Sequence, residues 1–219
     1  IADLPNIQRR IVHASAVGGK RSIVATHLLE SMIDNPIPTR AEVSDVANAV
    51  YEGVDAVMLS GETSVGKHPT RCVEQIVDIV KRAEKYKGLG YEKELVAAED
   101  KQHVATHAVG LAESLRACGI IVITRRGIMA DLVTNARPHS VPIFAFANSN
   151  RVRKRLVLNR SVHTFQIPFS RNPDKTLNRA MKMLKRVHGF ASQDKVVVVS
   201  DVLADSPSDA IQIRPLGEF

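Results

Sequence analysis

Short unbroken apolar runs that alternate with amphipathic stretches predict an α/β fold made of parallel strand–helix units. Three observations carry that prediction. First, SIVAT (22–26), DAVML (55–59), IIVIT (120–124), VPIFAFA (141–147) and KVVVVS (195–200) are continuous, as strands covered on both faces are. Second, apolar residues make up 44% of the chain, but aromatics only 4% and Trp is absent, which favours aliphatic packing over an aromatic-rich sandwich or a base-stacking module. Third, the pattern breaks at 84–101 (EKYKGLGYEKELVAAEDK), which is charged and has no apolar stripe. That break reads as a boundary and divides the 219 residues into domains 1–88 and 89–219.

The elements follow in order. Residues 3–17 form a helix with Leu4, Ile7, Ile11 and Val12 on one stripe, and Gly18-Gly19 ends it. The strand 22–26 comes next, and Pro36 and Pro38 mark a turn. In PTRAEVSDVANAVYEG, Thr39 reads as an N-cap and Glu42, three residues on, completes a capping box. Val43, Val46, Ala47 and Val50 line the inner face of that helix, and Gly53 closes it. After the strand 55–59, Pro69 starts a helix with Val73, Ile76, Val77 and Val80 on its stripe. Beyond the boundary, helices 104–117, 129–136, 151–158 and 176–188 alternate with strands 120–124, 141–147, 162–167 and 195–200. The run 210–214 adds an edge strand, expected to be antiparallel. The second domain is therefore an open α/β sheet of ordinary domain size.

Charge and cysteine content narrow the function classes. A net charge of +7 raises nucleic-acid binding, but the densest basic run, RVRKRLVLNR (151–160), interleaves its charges with Val152, Leu156, Val157 and Leu158. An amphipathic helix with a solvated basic face explains it, without aromatic ladder or zinc spacing, so no nucleic-acid partner is expected. Cys72 and Cys118 match no metal or redox spacing and read as small buried hydrophobes of a reducing compartment. His103 and His107 lie one helical turn apart without a third ligand, so surface histidines are expected rather than zinc. No apolar run is long enough for a membrane span. The sequence opens at Ile1 without an initiator Met or secretory signal, which predicts a processed or truncated soluble intracellular product.

Chemistry concentrates where strands meet helices, because ligands of parallel α/β folds sit at the carboxyl ends of strands. Thr26 and His27 emerge at the first such end, with Glu30 and Ser31 a turn further. At the second, VMLSGETSVGKHP presents Ser60 and Glu62, while Gly61 and Gly66 let backbone approach a ligand. At the third, Thr124, Arg125, Arg126 and Gly127 precede a helix and compose a phosphate cradle.

The order and wording of ATHLLESMIDNPIPTRAEVSDVANAVYEGVDAVMLSGETSVGKHP resemble pyruvate kinase, from the seventh strand to the eighth helix of its (β/α)8 barrel. LLESM, PTRAEVSDVANAV and VMLSGET carry the likeness, and residues 104–214 resemble the family's C-terminal α/β domain; TRRGIMA, IFAF and RLVLNR are most similar to its plastid-type branch. The resemblance implies phosphoryl transfer from phosphoenolpyruvate to ADP, giving pyruvate and ATP, with magnesium and potassium as cofactors. It implies that Thr26 lies beside the carbon of the enolate to be protonated, and that Ser60 and Glu62 belong to the network relaying the proton. A carboxylate beside a polyphosphate is expected to titrate upward and carry that proton. His27, Gly61 and Lys67 fall on the substrate and nucleotide side, Arg40 near a subunit contact of a homo- or hetero-tetramer, and Glu30 in a structural role.

Departures from the family pattern shape the remaining expectations. Val65 stands where many members carry Lys, so a nucleotide-side charge is lost unless Lys67 substitutes, and His27 replaces the usual amide. Ile128 and Met129 replace polar positions of the effector loop, and the late loop SDVLADSPSD lacks the expected Trp, Arg and Gly. Fructose 1,6-bisphosphate is not expected to activate; a different phosphorylated effector on Thr124, Arg125 and Arg126 is. The family's phosphoryl-stabilising Lys and the magnesium-binding Glu and Asp belong to strands upstream of Ile1, so the isolated chain is expected to be inactive. The rival reading is a non-catalytic homologue serving regulation or assembly. The cytoplasm or the plastid stroma is the expected compartment.

Overall fold

In the computed structural model, which describes residues 1–200 and 210–217, two compact units divide after Val96. The first begins with α1 (Leu4–Val17), admitted by Pro5 in its first turn. β1 (Ile23–Ala25) and β2 (Ala56–Met58) pair in parallel, Val24 opposite Val57, and α2 (Arg40–Glu52) crosses between them. A four-residue helix, α3 (Gly61–Ser64), follows β2 and leads into α4 (Pro69–Ala83).

The capping box forms as the spacing requires. Thr39 accepts the Glu42 N–H, and the Glu42 carboxylate accepts the Thr39 N–H in return. At the other end Gly53 adopts φ +83°, the left-handed turn that lets its N–H reach the last carbonyls of α2. Burial of Val46, Ala49 and Val50 then fixes which face of α2 turns inward.

Burial departs from the expected stripes at several places. Val12 and Ala16 are the buried residues of α1, whereas Leu4, Ile7 and Ile11 are exposed along a cavity of about 780 Å³ beside the outer edge of β1. Ile23 and Met58 are also exposed, because a two-stranded sheet leaves flanks that no neighbouring strand covers. On α2, Val43 is more exposed than its stripe implied. On α4 the buried line is Cys72, Ile76, Ile79 and Ala83, and Val73 and Val77 face outward. Cys72 and Ile79 shift the inner stripe by about one residue from that predicted, which counted only the β-branched positions.

The expected boundary segment is partly ordered onto the first unit. A 3-10 turn, Tyr91–Glu94, packs its Tyr91 ring edge-on against His13 of α1, and Glu94 pairs with the same His13 at 2.9 Å.

The second unit is a five-stranded sheet in the order β5-β4-β3-β6-β7. In chain order its elements are α5 (Asp100–Ser114), β3 (Gly119–Ile123), α6 (Ile128–Asn135), β4 (Ile143–Ala147), α7 (Asn150–Leu156), β5 (Val162–Gln166), α8 (Pro173–His188), β6 (Lys195–Ser200) and β7 (Ala210–Pro215). β3 to β6 are parallel, and β7 joins β6 antiparallel, as the sequence predicts for the last strand. Alternate residues of β3 serve the two faces. Ile120 and Val122 pack with α5 and α6, while Ile121 and Ile123 pack on α8 through Leu177, Met181 and Leu184. Every residue of β3 and β4 is buried, the signature of strands covered on both sides. Chain order runs outward from β3 to β4 and β5, then returns to β6 on the other side of β3. That reversal makes the carboxyl end of β3, which Thr124 follows, the topological switch point of the sheet.

α7 ends at Leu156, so of the apolar residues in the basic run Leu156 is buried, but Val157 and Leu158 lie beyond the helix and are exposed. Cys72 is buried and Cys118 partly so, both as free thiols. Among the described residues no helix is long and apolar enough to cross a membrane.

Candidate active site

Two adjacent strand tips compose the site in the first unit. β1 ends at Ala25, and Thr26 and His27 leave it with φ of +75° and +55°. Left-handed backbone at two successive non-glycine residues is uncommon, and for a β-branched Thr it costs on the order of 1–3 kcal/mol. The residues that follow hold the turn: Leu28, Leu29 and Met32 are buried in one cluster with Val46 of α2 and Cys72 and Ile76 of α4.

Glu62 ties the two tips together. It is only 2% exposed, its Oε2 accepts the Ser60 N–H at 2.7 Å, and its Oε1 accepts the Leu29 N–H at 3.1 Å. Burial pushes this carboxyl up. Its own amide, those of Ser60 and Leu29, and the charge of His27 outweigh burial and hold it below the ordinary carboxylate range. The expectation of an upward-titrating, proton-bearing Glu62 is therefore corrected for the chain by itself. Backbone N–H groups stabilise the ionised form, so Glu62 acts here as a charged clamp.

The glycines are placed by contact. A Cβ on Gly66 would stand 2.4 Å from the Glu62 carbonyl oxygen and 3.3 Å from the Ile33 Cα, both backbone atoms. On Gly61 the nearest atom would be the mobile end of Ile33 at 3.1 Å, a milder constraint. The Lys67 N–H donates to the Ile33 carbonyl at 2.8 Å, which docks the SGETSVG turn onto a 3-10 turn, Glu30–Ile33, that follows β1.

The remaining polar residues fall into pairs. His27 Nδ1 donates to Glu30 Oε2, since a carboxylate can only accept, and this leaves Nε2 as the free nitrogen. Lys67 Nζ lies 2.8 Å from Asp34 Oδ1 in an exposed pair; the hydrogen bond and charge push the ammonium up and the Asp34 carboxyl down. Val65 is 76% exposed beside it. Arg40 is exposed in the first turn of α2.

Glu42 was legible only as a helix cap, yet it does more. Its carboxylate also takes the Ser31 N–H at 2.7 Å and the Ser31 hydroxyl at 2.6 Å, joining the start of α2 to the loop after β1. Burial raises this carboxyl, but the Ser31 and Thr39 donors together hold it below its ordinary value. Ser31 and Glu42 are eleven positions apart with two prolines between them, so no local pattern announces the contact.

In the second unit, Thr124 is fully buried, and its hydroxyl accepts the Gly127 N–H at 3.0 Å. Gly127 has φ +85° and starts α6, and Arg155 donates to the Arg126 carbonyl at 2.8 Å and to Asp131 at 3.0 Å. The turn is thus held internally by Thr124 and Arg155, and Arg125 and Arg126 are its exposed cations. Residues 201–209, which carry most of the late loop, lie outside the described residues. His103 and His107 are exposed on α5, with His107 Nδ1 donating to the His103 carbonyl at 2.7 Å. Among the described residues no group of three His, Cys, Asp or Glu is arranged to hold a metal ion.

Comparison with known proteins places this geometry. Residues 1–73 match the family model for the pyruvate kinase barrel domain, and residues 102–213 match that for the pyruvate kinase alpha/beta domain. The chain is 42% identical over 188 residues to the chloroplastic pyruvate kinase isozyme G of Nicotiana tabacum, covering 84% of this chain and 33% of that protein. It is 37% identical over 224 residues to the chloroplastic plastidial pyruvate kinase 3 of Arabidopsis thaliana, covering 99% of this chain and 39% of that protein. The crystal structure of a pyruvate kinase from Cryptosporidium parvum superposes with a TM-score of 0.90 at 29% identity, covering 98% of this chain and 44% of that one. The chain therefore spans between a third and a little under half of each of these relatives. With strand tips, capping box and open sheet in the order of both family domains, and the alpha/beta model alone matching over half its length, this chain belongs to the pyruvate kinase family.

Proposed function

We propose that these residues form the enolate-protonating side of a pyruvate kinase active site, in a protein that transfers the phosphoryl group of phosphoenolpyruvate to ADP. The observation that carries the reading is the Glu62 clamp, which holds the Thr26 and Ser60 strand tips side by side through Leu29 and Ser60. Thr26 supplies the hydroxyl beside the reacting carbon, and Ser60 the second hydroxyl of the relay. Glu62 fixes their spacing in its ionised form. Strand tips held in place by backbone hydrogen bonds reduce the reorganisation needed when the enolate forms, and general acid assistance of this kind is worth about 10² to 10⁴ in rate.

The family likeness implies magnesium and potassium; among the described residues no group of three His, Cys, Asp or Glu is arranged to hold a metal ion such as magnesium. Turnover accordingly needs the barrel strands bearing the phosphoryl-stabilising Lys and the metal-binding carboxylates, and the isolated 219 residues are inactive. The open flanks of β1 and β2 suit the addition of such strands. His27, Gly61 and Lys67 face substrate and nucleotide, Arg40 a subunit contact in a tetramer, and Arg125 and Arg126, on the turn built by Thr124 and Gly127, a phosphorylated effector. The chloroplastic names of the relatives support a plastid setting.

A lactate dehydrogenase-coupled assay on the full-length product tests this. Pyruvate formation that requires both phosphoenolpyruvate and ADP is the expected result. Its absence, with a properly folded protein, favours the second reading, a non-catalytic homologue serving regulation or assembly. Exposed Val65 and the engagement of Lys67 with Asp34 favour that alternative.

A further inference from the structure

Every polar group of Ser31 is engaged. Its N–H and its hydroxyl both donate to Glu42, at 2.7 and 2.6 Å. Its carbonyl accepts the backbone N–H and the side-chain amide of Asn35, each at 3.0 Å. The capping box of α2 does not need this contact, because Thr39 and Glu42 complete it between themselves. Glu42 Oε2 serves the box, and Oε1 is given to the Ser31 N–H.

Ser31 lies just beyond the turn that carries Thr26. Thr26 and His27 hold left-handed backbone at φ +75° and +55°, which persists in non-glycine residues only where the surroundings over-determine it. The chain after them is anchored twice. Glu62 of α3 takes the Leu29 N–H, and two residues further on Glu42 of α2 takes Ser31. Leu28, Leu29 and Met32 are buried around these anchors. One anchor would leave the turn free to pivot about Leu29; the second, from a different helix, fixes its direction.

We propose that Ser31 and Glu42 are positioning residues for the enolate-protonating step: their contact holds the Thr26 turn at the place from which its hydroxyl serves the reacting carbon. This rests on the pyruvate kinase reading above. Both residues act through the segment 26–31 rather than on substrate. A misplacement of about 1 Å at a reacting group costs about 10² in rate, and loss of one of the two Ser31 donors is expected to cost about tenfold.

The test compares Ser31→Ala, Ser31→Thr and Thr39→Ala in the full-length protein, by coupled turnover, deuterium exchange into the methyl group of pyruvate, and urea unfolding. Ser31→Ala removes the hydroxyl but keeps the backbone N–H on Glu42 and leaves the capping box whole, so the fold is retained. It is expected to lower kcat and methyl exchange together by about tenfold, with KM for ADP unchanged. Ser31→Thr restores the hydroxyl and most of both rates. Thr39→Ala weakens the cap and lowers the urea midpoint at least as far, yet keeps kcat and exchange at wild-type values. Wild-type rates in Ser31→Ala overturn the proposal and leave the kinase reading intact. An equal loss of rate in Thr39→Ala does the same, since stability alone would then be the cause. Absence of both exchange and turnover in wild type overturns the two together.

Discussion

Replacing Glu62 by Gln keeps the volume of the side chain and removes its charge, so it isolates the clamp. In the wild type, two acceptor oxygens meet the Ser60 and Leu29 N–H groups at 2.7 and 3.1 Å in a site that is 2% exposed. Gln offers one acceptor and one donor, and the donor confronts an N–H. One charge-assisted hydrogen bond is lost and one amide is left buried without a partner, a cost of about 2 kcal/mol. That corresponds to roughly a 30-fold loss of hydrogen-exchange protection at Leu29 or Ser60. The carboxyl of Glu62 is lowered in the folded state, so its contribution is present above the unfolded carboxyl value. It is lost as pH falls through the lower folded value. The gap between wild type and Glu62→Gln should therefore be full at pH 7 and shrink below about pH 4.5. Amide exchange by NMR and urea unfolding at pH 7 and in acid measure both quantities. Equal protection of Leu29 and Ser60 in the two proteins at pH 7, or a gap that widens in acid, would refute the clamp.

Other perturbations follow from the same contacts. Gly66→Ala forces a Cβ to 2.4 Å from the Glu62 carbonyl oxygen, and backbone must move, so a loss of about 1–3 kcal/mol in urea unfolding is expected. Glu42→Ala removes the acceptor shared by Thr39 and Ser31 and should cost about 2 kcal/mol, more than the roughly 1 kcal/mol of a lone cap. Lys67→Ala should leave thermal stability unchanged, because its pair with Asp34 is solvent-exposed on both sides. Burial and then the nearby Asp194 push the Cys118 thiol up to about 11, and burial likewise raises Cys72. Native alkylation at pH 8 should be slow at both and become rapid in urea.

The second unit was nearly all legible in the sequence, for a physical reason. Its central strands β3, β4 and β6 are buried on both faces, so their apolar runs are unbroken, and even the half-exposed antiparallel β7 lay where AIQIR placed it. The first unit was read less well. Its helices and its capping box were visible in local spacing, but the orientation of Leu4, Ile7, Ile11, Val73 and Val77 was not. Apolar periodicity finds a stripe but does not say whether a neighbour covers it. The site residues Thr26, Ser60 and Glu62 stood out as polar groups at strand ends. Their coupling depended on contacts over long separations, Leu29 with Glu62 and Ser31 with Glu42, which no short motif encodes. The direction of the Glu62 shift was missed because it is set by backbone N–H groups from two different loops.

The central claim, that the β1 and β2 tips deliver a proton to an enolate, is tested most directly at Thr26. In the full-length protein, Thr26→Ala should lower methyl exchange and pyruvate formation together by about 10² or more, with ADP affinity retained. Exchange and turnover at wild-type rates in the same variant would contradict it.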